Sequence, residues 1–250
     1  MTTLKNIAAD NTPVNWGLIK NNPGKFWKTV GWVAPVVGLG LIWVMTRIMT
    51  VLPKILGDEY IYSINARHTP LADSSVPNYF FNLLFGTTSA FGYGFYTAAK
   101  VYNLFFLLAF CAVVYFAARL IAKPGVSFAV AMLALFGPIS AYASYFTPEM
   151  MFYFGCAVVI YFALRFHART GFAKWALLGV GLGLVTLIKP HALFLAAPIF
   201  AYIVYLAFKD EGAKWLKAPL RAVSFSVAML VTKFAIGYAF AGEKGLSIFG

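Results

Sequence analysis

The chain has 250 residues, of which 61% are hydrophobic, 18% aromatic and only 11% charged. The charged fraction is about half that of an ordinary soluble domain, and the mean hydropathy of +0.77 indicates more apolar surface than one soluble core can bury. A soluble globular enzyme is therefore excluded. Apolar runs of roughly 20 residues, such as VYNLFFLLAFCAVVYFAARL, are typical of membrane-spanning helices, and they lack the alternation of a transmembrane barrel strand.

The chain carries 20 basic and 8 acidic residues, a formal net charge of +12. Proteins that bind nucleic acid concentrate such charge on one solvated face or arm. Here the basic residues are dispersed among short loops. We therefore expect no nucleic acid partner and membrane lipid as the surroundings of the chain.

Apolar windows between charged residues, prolines and glycines predict seven helical spans. They lie near residues 29–52, 100–120, 126–145, 150–166, 172–188, 192–208 and 219–240. The predicted fold is an all-α polytopic transmembrane bundle, with a cytoplasmic amino-terminal segment 1–28, a transmembrane core 29–240 and an outer tail 241–250. The tail ends just after the seventh span, which is consistent with a truncation point, a missing carboxyl-terminal domain or a partner subunit.

The loop charges predict the orientation, because Lys and Arg in short loops stay on the cytoplasmic side. A cytoplasmic amino terminus places most of the basic residues inside and the carboxyl terminus outside. We expect the chain to be a multi-pass protein of a bacterial inner membrane.

The outer connection from about residue 53 to 98 is much longer than the other connections. Loops of this length in compact proteins usually carry function. Its aromatic residues are interleaved with polar ones, in IYSINARH and VPNYFFNLLFG, which predicts short amphipathic helices at the membrane interface.

Three acidic residues on the predicted outer side are candidates for catalysis. Asp58 and Glu59 directly follow the first span, where a carboxylate in a partly dry site can act as a general base. Glu149 follows Pro148 at the start of the fourth span. Each also has a simpler interpretation, because acidic residues stabilise the first turn of a helix.

Basic residues on the same side are candidates for binding phosphate. Lys189 interrupts LVTLIKPHALFLAAP, where it either extends its ammonium to the interface or neutralises a phosphate. Lys100 and Arg67 are candidates for the same role. Lys233 lies deep in the seventh span and must face protein or a wet cavity, because a lipid-facing charge there is costly.

Gly179, Gly181 and Gly183 in LLGVGLGLV have the spacing of a small-residue helix-packing stripe. No strand precedes them. They are interpreted as packing residues and not as a nucleotide-binding motif.

In their order and membrane placement, these motifs resemble the polytopic glycosyltransferases of the GT-C class. The elements that carry the resemblance are DEYIYSINAR after the first span, the long outer loop, the outer turn with PE and the later LIKPHALFLAAP. They cover roughly residues 29–210, and the nearest branch is that of the protein mannosyltransferases and lipid A aminoarabinose transferases.

The resemblance implies an enzyme that moves a hexose or pentose from a polyprenyl-phosphate donor to an acceptor on the extracytoplasmic side. The acceptor is a hydroxyl or an amine-bearing group of a glycan, lipid or protein. Asp58 is the implied base, Glu59 its partner and Glu149 the second acidic position. The implied substrate-binding residues are Lys189, His191, Lys100, Arg67 and Tyr60.

An adjacent acidic pair can bind Mg²⁺ or Mn²⁺, but the resemblance implies catalysis without a metal, and we expect no cofactor. Two other functions stay open. A transporter or flippase for a lipid-linked or small solute requires ionisable groups near the bilayer midplane, and a noncatalytic membrane subunit would tolerate replacement of Asp58 and Glu59.

Overall fold

The computed structural model of the chain describes residues 23–52, 57–166, 170–209 and 217–247. Parts of the predicted regions lie outside the described residues: positions 1–22 of the amino-terminal segment, 53–56 of the long loop, 167–169 and 210–216 of other connections in the core, and 248–250 of the tail.

The described residues form α-helices joined by short turns. The α-helices are α1 Pro23–Thr50, α2 Gly57–Arg67, α3 Tyr79–Gly86, α4 Phe95–Ala118, α5 Pro124–Phe136, α6 Glu149–Leu164, α7 Phe172–Thr186, α8 Ala196–Lys209 and α9 Lys217–Ala241. Short 3₁₀ segments lie at Leu71–Asp73, Thr87–Gly94, Pro138–Ser144, Pro190–Leu195 and Gly242–Leu246. No strand occurs in these described ranges, and the all-α prediction is confirmed.

Three stretches of the described chain are long and apolar enough to cross a membrane: Tyr79–Ala118, Pro190–Lys209 and Ala218–Leu246. A fourth candidate is α5 with the 3₁₀ segment that follows it, which together are bent by 47°. The bend lies where Gly137 adopts an extended conformation before Pro138, because proline lacks the amide hydrogen that would continue the helix.

Each of the seven predicted spans overlaps one of these α-helices, and the spans 126–145 and 192–208 also include residues of the 3₁₀ segments Pro138–Ser144 and Pro190–Leu195. The apolar stretches Val37–Thr50, Glu149–Leu164 and Phe172–Thr186 are shorter than a full crossing, and the number of seven stays a prediction. Large apolar side chains face outward on several helices, including Leu39, Phe105, Leu177 and Phe208, which are 68%, 66%, 69% and 82% exposed. Such an apolar exterior is that of an integral membrane protein.

The described part of the long loop, residues 57–98, is folded and contributes to the core. Its helices α2 and α3 pack against each other. On α3, Phe81 and Phe85 are fully buried and stack with ring centroids 4.3 Å apart, and both rings contact the buried Phe146. The Phe80 amide donates to the Leu187 carbonyl at 3.1 Å, so the loop is fastened to the end of α7.

Lys233 is 3% exposed in α9, in agreement with the expectation that it faces protein. Its ammonium donates to the Ser247 carbonyl at 3.2 Å. The interaction joins α9 to the segment that follows the last 3₁₀ turn.

Glycines allow α7 and α9 to approach each other at backbone distance. A Cβ at Gly179 would overlap the Phe225 carbonyl oxygen, and one at Gly183 would lie 2.7 Å from the Met229 carbonyl oxygen. The packing prediction is therefore confirmed for these two glycines, which have the spacing of close helix pairs in membranes. Gly181 points elsewhere, with only Val159 at 3.7 Å from a Cβ.

Replacing Gly179 by alanine should therefore destabilise the protein, because the new methyl group meets a backbone atom that cannot rotate away. We expect a loss of about 1–3 kcal/mol and a lower apparent melting temperature in detergent. Gly181→Ala is the matched control and should melt as the wild type does. Equal melting temperatures for the two variants would contradict the close contact.

Candidate active site

Asp58 and Glu59 occupy the first turn of α2, where their negative charge complements the helix dipole. Neighbouring helical residues point about 100° apart, so the two carboxylates have different surroundings. Glu59 is 6% exposed, whereas Asp58 is exposed. Glu59 is therefore the inner carboxylate of the pair, and Asp58 is the outer one.

The inner carboxylate, Glu59, links α2 to two distant parts of the chain. Its Oε1 accepts hydrogen bonds from the Tyr96 hydroxyl at 2.6 Å and from the Phe146 amide at 2.7 Å. Its Oε2 is buried without a hydrogen-bond partner among the described residues. Because a buried charge is costly unless hydrogen-bonded, this geometry fixes α2 against α4 and the segment before α6.

That segment, residues 144–146, is held by further side chains. The Tyr96 hydroxyl also lies 3.0 Å from the Ser144 carbonyl oxygen, and the Asn103 amide donates to the Tyr145 carbonyl at 2.7 Å. Thr147, Pro148 and Glu149 follow in the chain. The start of α6 is therefore positioned by Glu59 and by two side chains of α4.

Glu149 forms an ion pair with Lys189, with 2.5 Å between Oε1 and Nζ. The two side chains are only 13% and 19% exposed. Lys189 has extended backbone immediately before Pro190, and this directs the turn after α7 toward the start of α6. The sequence analysis predicted that these two residues lie on the same membrane face, and the structure brings them into contact.

The ion pair controls the protonation of Lys189. Burial lowers the pKa of the ammonium, but the hydrogen bond and the negative charge of Glu149 outweigh burial, and the pKa is raised above its ordinary value. The ammonium therefore remains charged at neutral pH.

Tyr62, which sequence reasoning missed, lies within the electrostatic influence of Asp58 and of the ion pair. Burial raises the pKa of the Tyr62 hydroxyl above its ordinary value, and the negative charges of Glu149 and Asp58 also raise it. The ammonium of Lys189 and a hydrogen bond with Asn78 lower the pKa but do not cancel the increase. Asp58, Glu149 and Lys189 thus all act electrostatically on one phenol. Tyr62 lies four residues after Asp58, on the same helical face, and this spacing is the signal that could have identified it.

The other predicted substrate-binding residues contact different parts of the protein. Lys100 is 4% exposed, and its ammonium donates to the Met49 and Val51 carbonyls at 3.3 and 2.5 Å, so it holds the end of α1. The Arg67 guanidinium lies 3.4 Å from the Phe95 ring centroid, at the opposite end of α2 from Asp58. Tyr60 and His191 are exposed.

Among the residues that the structure describes, no group of three or more His, Cys, Asp or Glu side chains could hold a metal ion. The expectation of catalysis without a metal stays a prediction.

A family model described as dolichyl-phosphate-mannose-protein mannosyltransferase matches residues 75–236, more than half of the chain. Its range includes Glu149 and Lys189 and begins after α2, so it does not cover Asp58 or Glu59. No curated protein and no solved structure matches the chain.

Replacing Glu59 by alanine should lower the apparent melting temperature in detergent strongly, because the Phe146 amide loses its acceptor and the Tyr96 hydroxyl keeps only the Ser144 carbonyl. A buried group left unsatisfied costs roughly 1–3 kcal/mol. Glu59→Gln keeps an acceptor oxygen and should melt between the alanine variant and the wild type. Asp58→Ala, at the exposed neighbouring position, should melt near the wild type, and an equal loss at both positions would disprove the division of the pair.

Replacing Lys189 by methionine should destabilise the protein by roughly 3–5 kcal/mol, because it leaves the buried Glu149 carboxylate uncompensated. The double variant Glu149→Gln with Lys189→Met removes both charges and should recover much of this loss in thermal unfolding. Since the pKa of Lys189 is raised on folding, the stabilisation is present below its ordinary value and is lost as the pH rises through the raised one. A double variant no more stable than the single one would contradict the pairing.

Proposed function

The chain belongs to the dolichyl-phosphate-mannose-protein mannosyltransferase family and is a membrane glycosyltransferase of the mannosyltransferase kind; from this premise we propose its donor, site and chemistry. The donor is a polyprenyl-phosphate sugar, and the acceptor is a hydroxyl or an amine-bearing group of a glycan, lipid or protein at the extracytoplasmic membrane surface. The observation that supports this most is the mostly buried ion pair of Glu149 and Lys189, whose charges act together with that of Asp58 on the Tyr62 hydroxyl.

Asp58 is the proposed general base. The acceptor oxygen forms a bond to the anomeric carbon while the bond from that carbon to the phosphate oxygen breaks, and Asp58 takes the acceptor proton. Its exposed position at the start of α2 leaves it accessible to an incoming acceptor. Glu59 is buried and hydrogen-bonded, so we propose that it positions α2 and the start of α6 and takes no proton.

Lys189 is the proposed contact for the departing phosphate. Negative charge grows on the phosphate as the glycosidic bond breaks, and a cation fixed beforehand in a partly dry site stabilises that charge. Glu149 supports this role because its Oε1 holds the Lys189 ammonium in place. Lys100 has no part in the proposal, because its ammonium is bound by the carbonyls at the end of α1.

A groove next to this site suits the lipid tail of the donor. It has a volume of about 580 Å³ and lies between α4, α5 and α6, with a lining from Tyr153 to Leu164 along α6. Tyr153 is one helical turn after Glu149, so the groove begins close to the ion pair. Its other walls include Phe110, Val114 and Val130, an apolar surface that an isoprenoid chain can cover.

Replacing Asp58 by asparagine should lower the rate of sugar transfer by at least about a hundredfold, the lower range for loss of a general base. The measurement uses the purified protein with a panel of radiolabelled polyprenyl-phosphate sugars and acceptors. The double variant Glu149→Gln with Lys189→Met, which is expected to recover much of the stability lost in Lys189→Met, should lower the rate as well, through loss of the phosphate contact.

Asp73→Asn is the matched control. Asp73 is an exposed carboxylate of the same loop that pairs with Lys244 at 3.1 Å, and this variant should transfer sugar as the wild type does. Full transfer activity in Asp58→Asn would disprove the assignment of the base. A wild type that transfers no sugar but moves a lipid-linked solute across vesicles would replace the proposal with the transporter function.

A further inference from the structure

A second groove lies between α6 and α7, at the ends of these helices that point away from the candidate active site. It has a volume of about 650 Å³ and is apolar along its length, with Val158, Phe162, Leu177 and Gly181 among its lining residues. Two cations lie at its mouth. Arg165 directly follows α6, and Lys174 is in the first turn of α7.

This groove is distinct from the site that contains Glu149. Glu149 begins α6 and Arg165 directly follows it, and a helix of this length, with 1.5 Å of rise per residue, separates them by about 24 Å. Because α6 is one of the predicted spans, we expect the two sites to lie toward opposite membrane surfaces. The loop charges predict that the surface with Arg165 and Lys174 is the cytoplasmic one.

The mouth of the groove has an excess of positive charge. Arg165 donates to the Tyr161 hydroxyl at 3.2 Å, a neutral partner, and Lys174 is exposed. Neither is in an ion pair with a carboxylate among the described residues. The first turn of α7 contains no acidic residue, and the start of a helix already has a partial positive charge. An anion bound there would be stabilised by Arg165, by Lys174 and by the start of α7.

The floor of the groove is open because residue 181 is a glycine. A Cβ at that position would approach only Val159, at 3.7 Å, so the space beside it is not needed for helix packing. Gly179 and Gly183, in contrast, face α9. An apolar channel that ends between two cations at a membrane surface matches a molecule with a hydrocarbon chain and an anionic head.

We propose that this groove binds one anionic phospholipid of the surrounding membrane. Its phosphate lies between Arg165 and Lys174 at the start of α7, and one acyl chain runs along Phe162 and Leu177 toward Gly181. The cations select the charged headgroup, as basic pockets between transmembrane helices do. The apolar walls select a lipid over a soluble phosphate. The proposal is independent of the transferase chemistry at the opposite surface.

The test compares the binding of phosphatidylglycerol and phosphatidylcholine, of equal chain length, to the full-length protein in neutral detergent. Native mass spectrometry and the shift in melting temperature measure the binding. Wild type should bind phosphatidylglycerol more tightly. Arg165→Gln and Lys174→Gln should each weaken that binding about fivefold, the effect expected of one cation near a lipid headgroup, and binding of phosphatidylcholine should not change.

Lys209→Gln is the matched control. Lys209 is an exposed cation at the end of α8, on the same predicted membrane side, and its replacement should leave lipid binding unchanged. Gly181→Leu fills the groove without removing a charge, and it should weaken phosphatidylglycerol binding while the protein melts as the wild type does.

Four results would overturn the proposal. The first is equal affinity of the wild type for the two lipids, and the second is wild-type affinity for phosphatidylglycerol in the Arg165 and Lys174 variants. The third is an equal loss of phosphatidylglycerol affinity in Lys209→Gln. The fourth is displacement of bound phosphatidylglycerol by glycerol phosphate at the concentration at which free phosphatidylglycerol itself displaces it. The last result would mean that the cations bind a phosphate but the groove holds no acyl chain.

Discussion

The candidate site depends on the buried carboxylate of Glu59. In a region with little water, this group must find donors within the protein, and it finds them in Tyr96 and in the Phe146 amide. One side chain thereby fixes three elements: α2, α4 and the segment that leads into α6. Asp58 and Glu149 belong to elements that are far apart in the chain, and this shared anchor holds them in one region.

The adjacent acidic residues after the first span show how one dipeptide can supply two different physical roles. An exposed carboxylate can meet a substrate, whereas a buried one with strong donors holds the elements around it in place. The same contrast applies to the basic residues. Lys189 is held at the site by Glu149, while Lys100, equally attractive in the sequence, satisfies backbone carbonyls at the end of α1.

Hydropathy and periodicity predicted the all-α fold, the positions of the helices and the glycine packing of α7, because these follow from local sequence. Loop charges placed Glu149 and Lys189 on one membrane face, which made their contact foreseeable. The roles of Glu59 and Lys100 depend on which distant helices lie opposite them, and no local pattern contains that information. Tyr62 was missed because its significance comes from charges on three separate elements.

The backbone contact between α7 and α9 has a mechanical consequence. Where carbonyl oxygens lie directly against glycine positions, as they do at Gly179 and Gly183, no flexible side chain remains to absorb a displacement, so the two helices must shift as a single rigid body. Lys189, three residues beyond α7, is carried on that body. In the proposed function, any adjustment that admits the donor headgroup beside this ammonium then falls to α6 and α2, and the lysine is the fixed reference point of the candidate site.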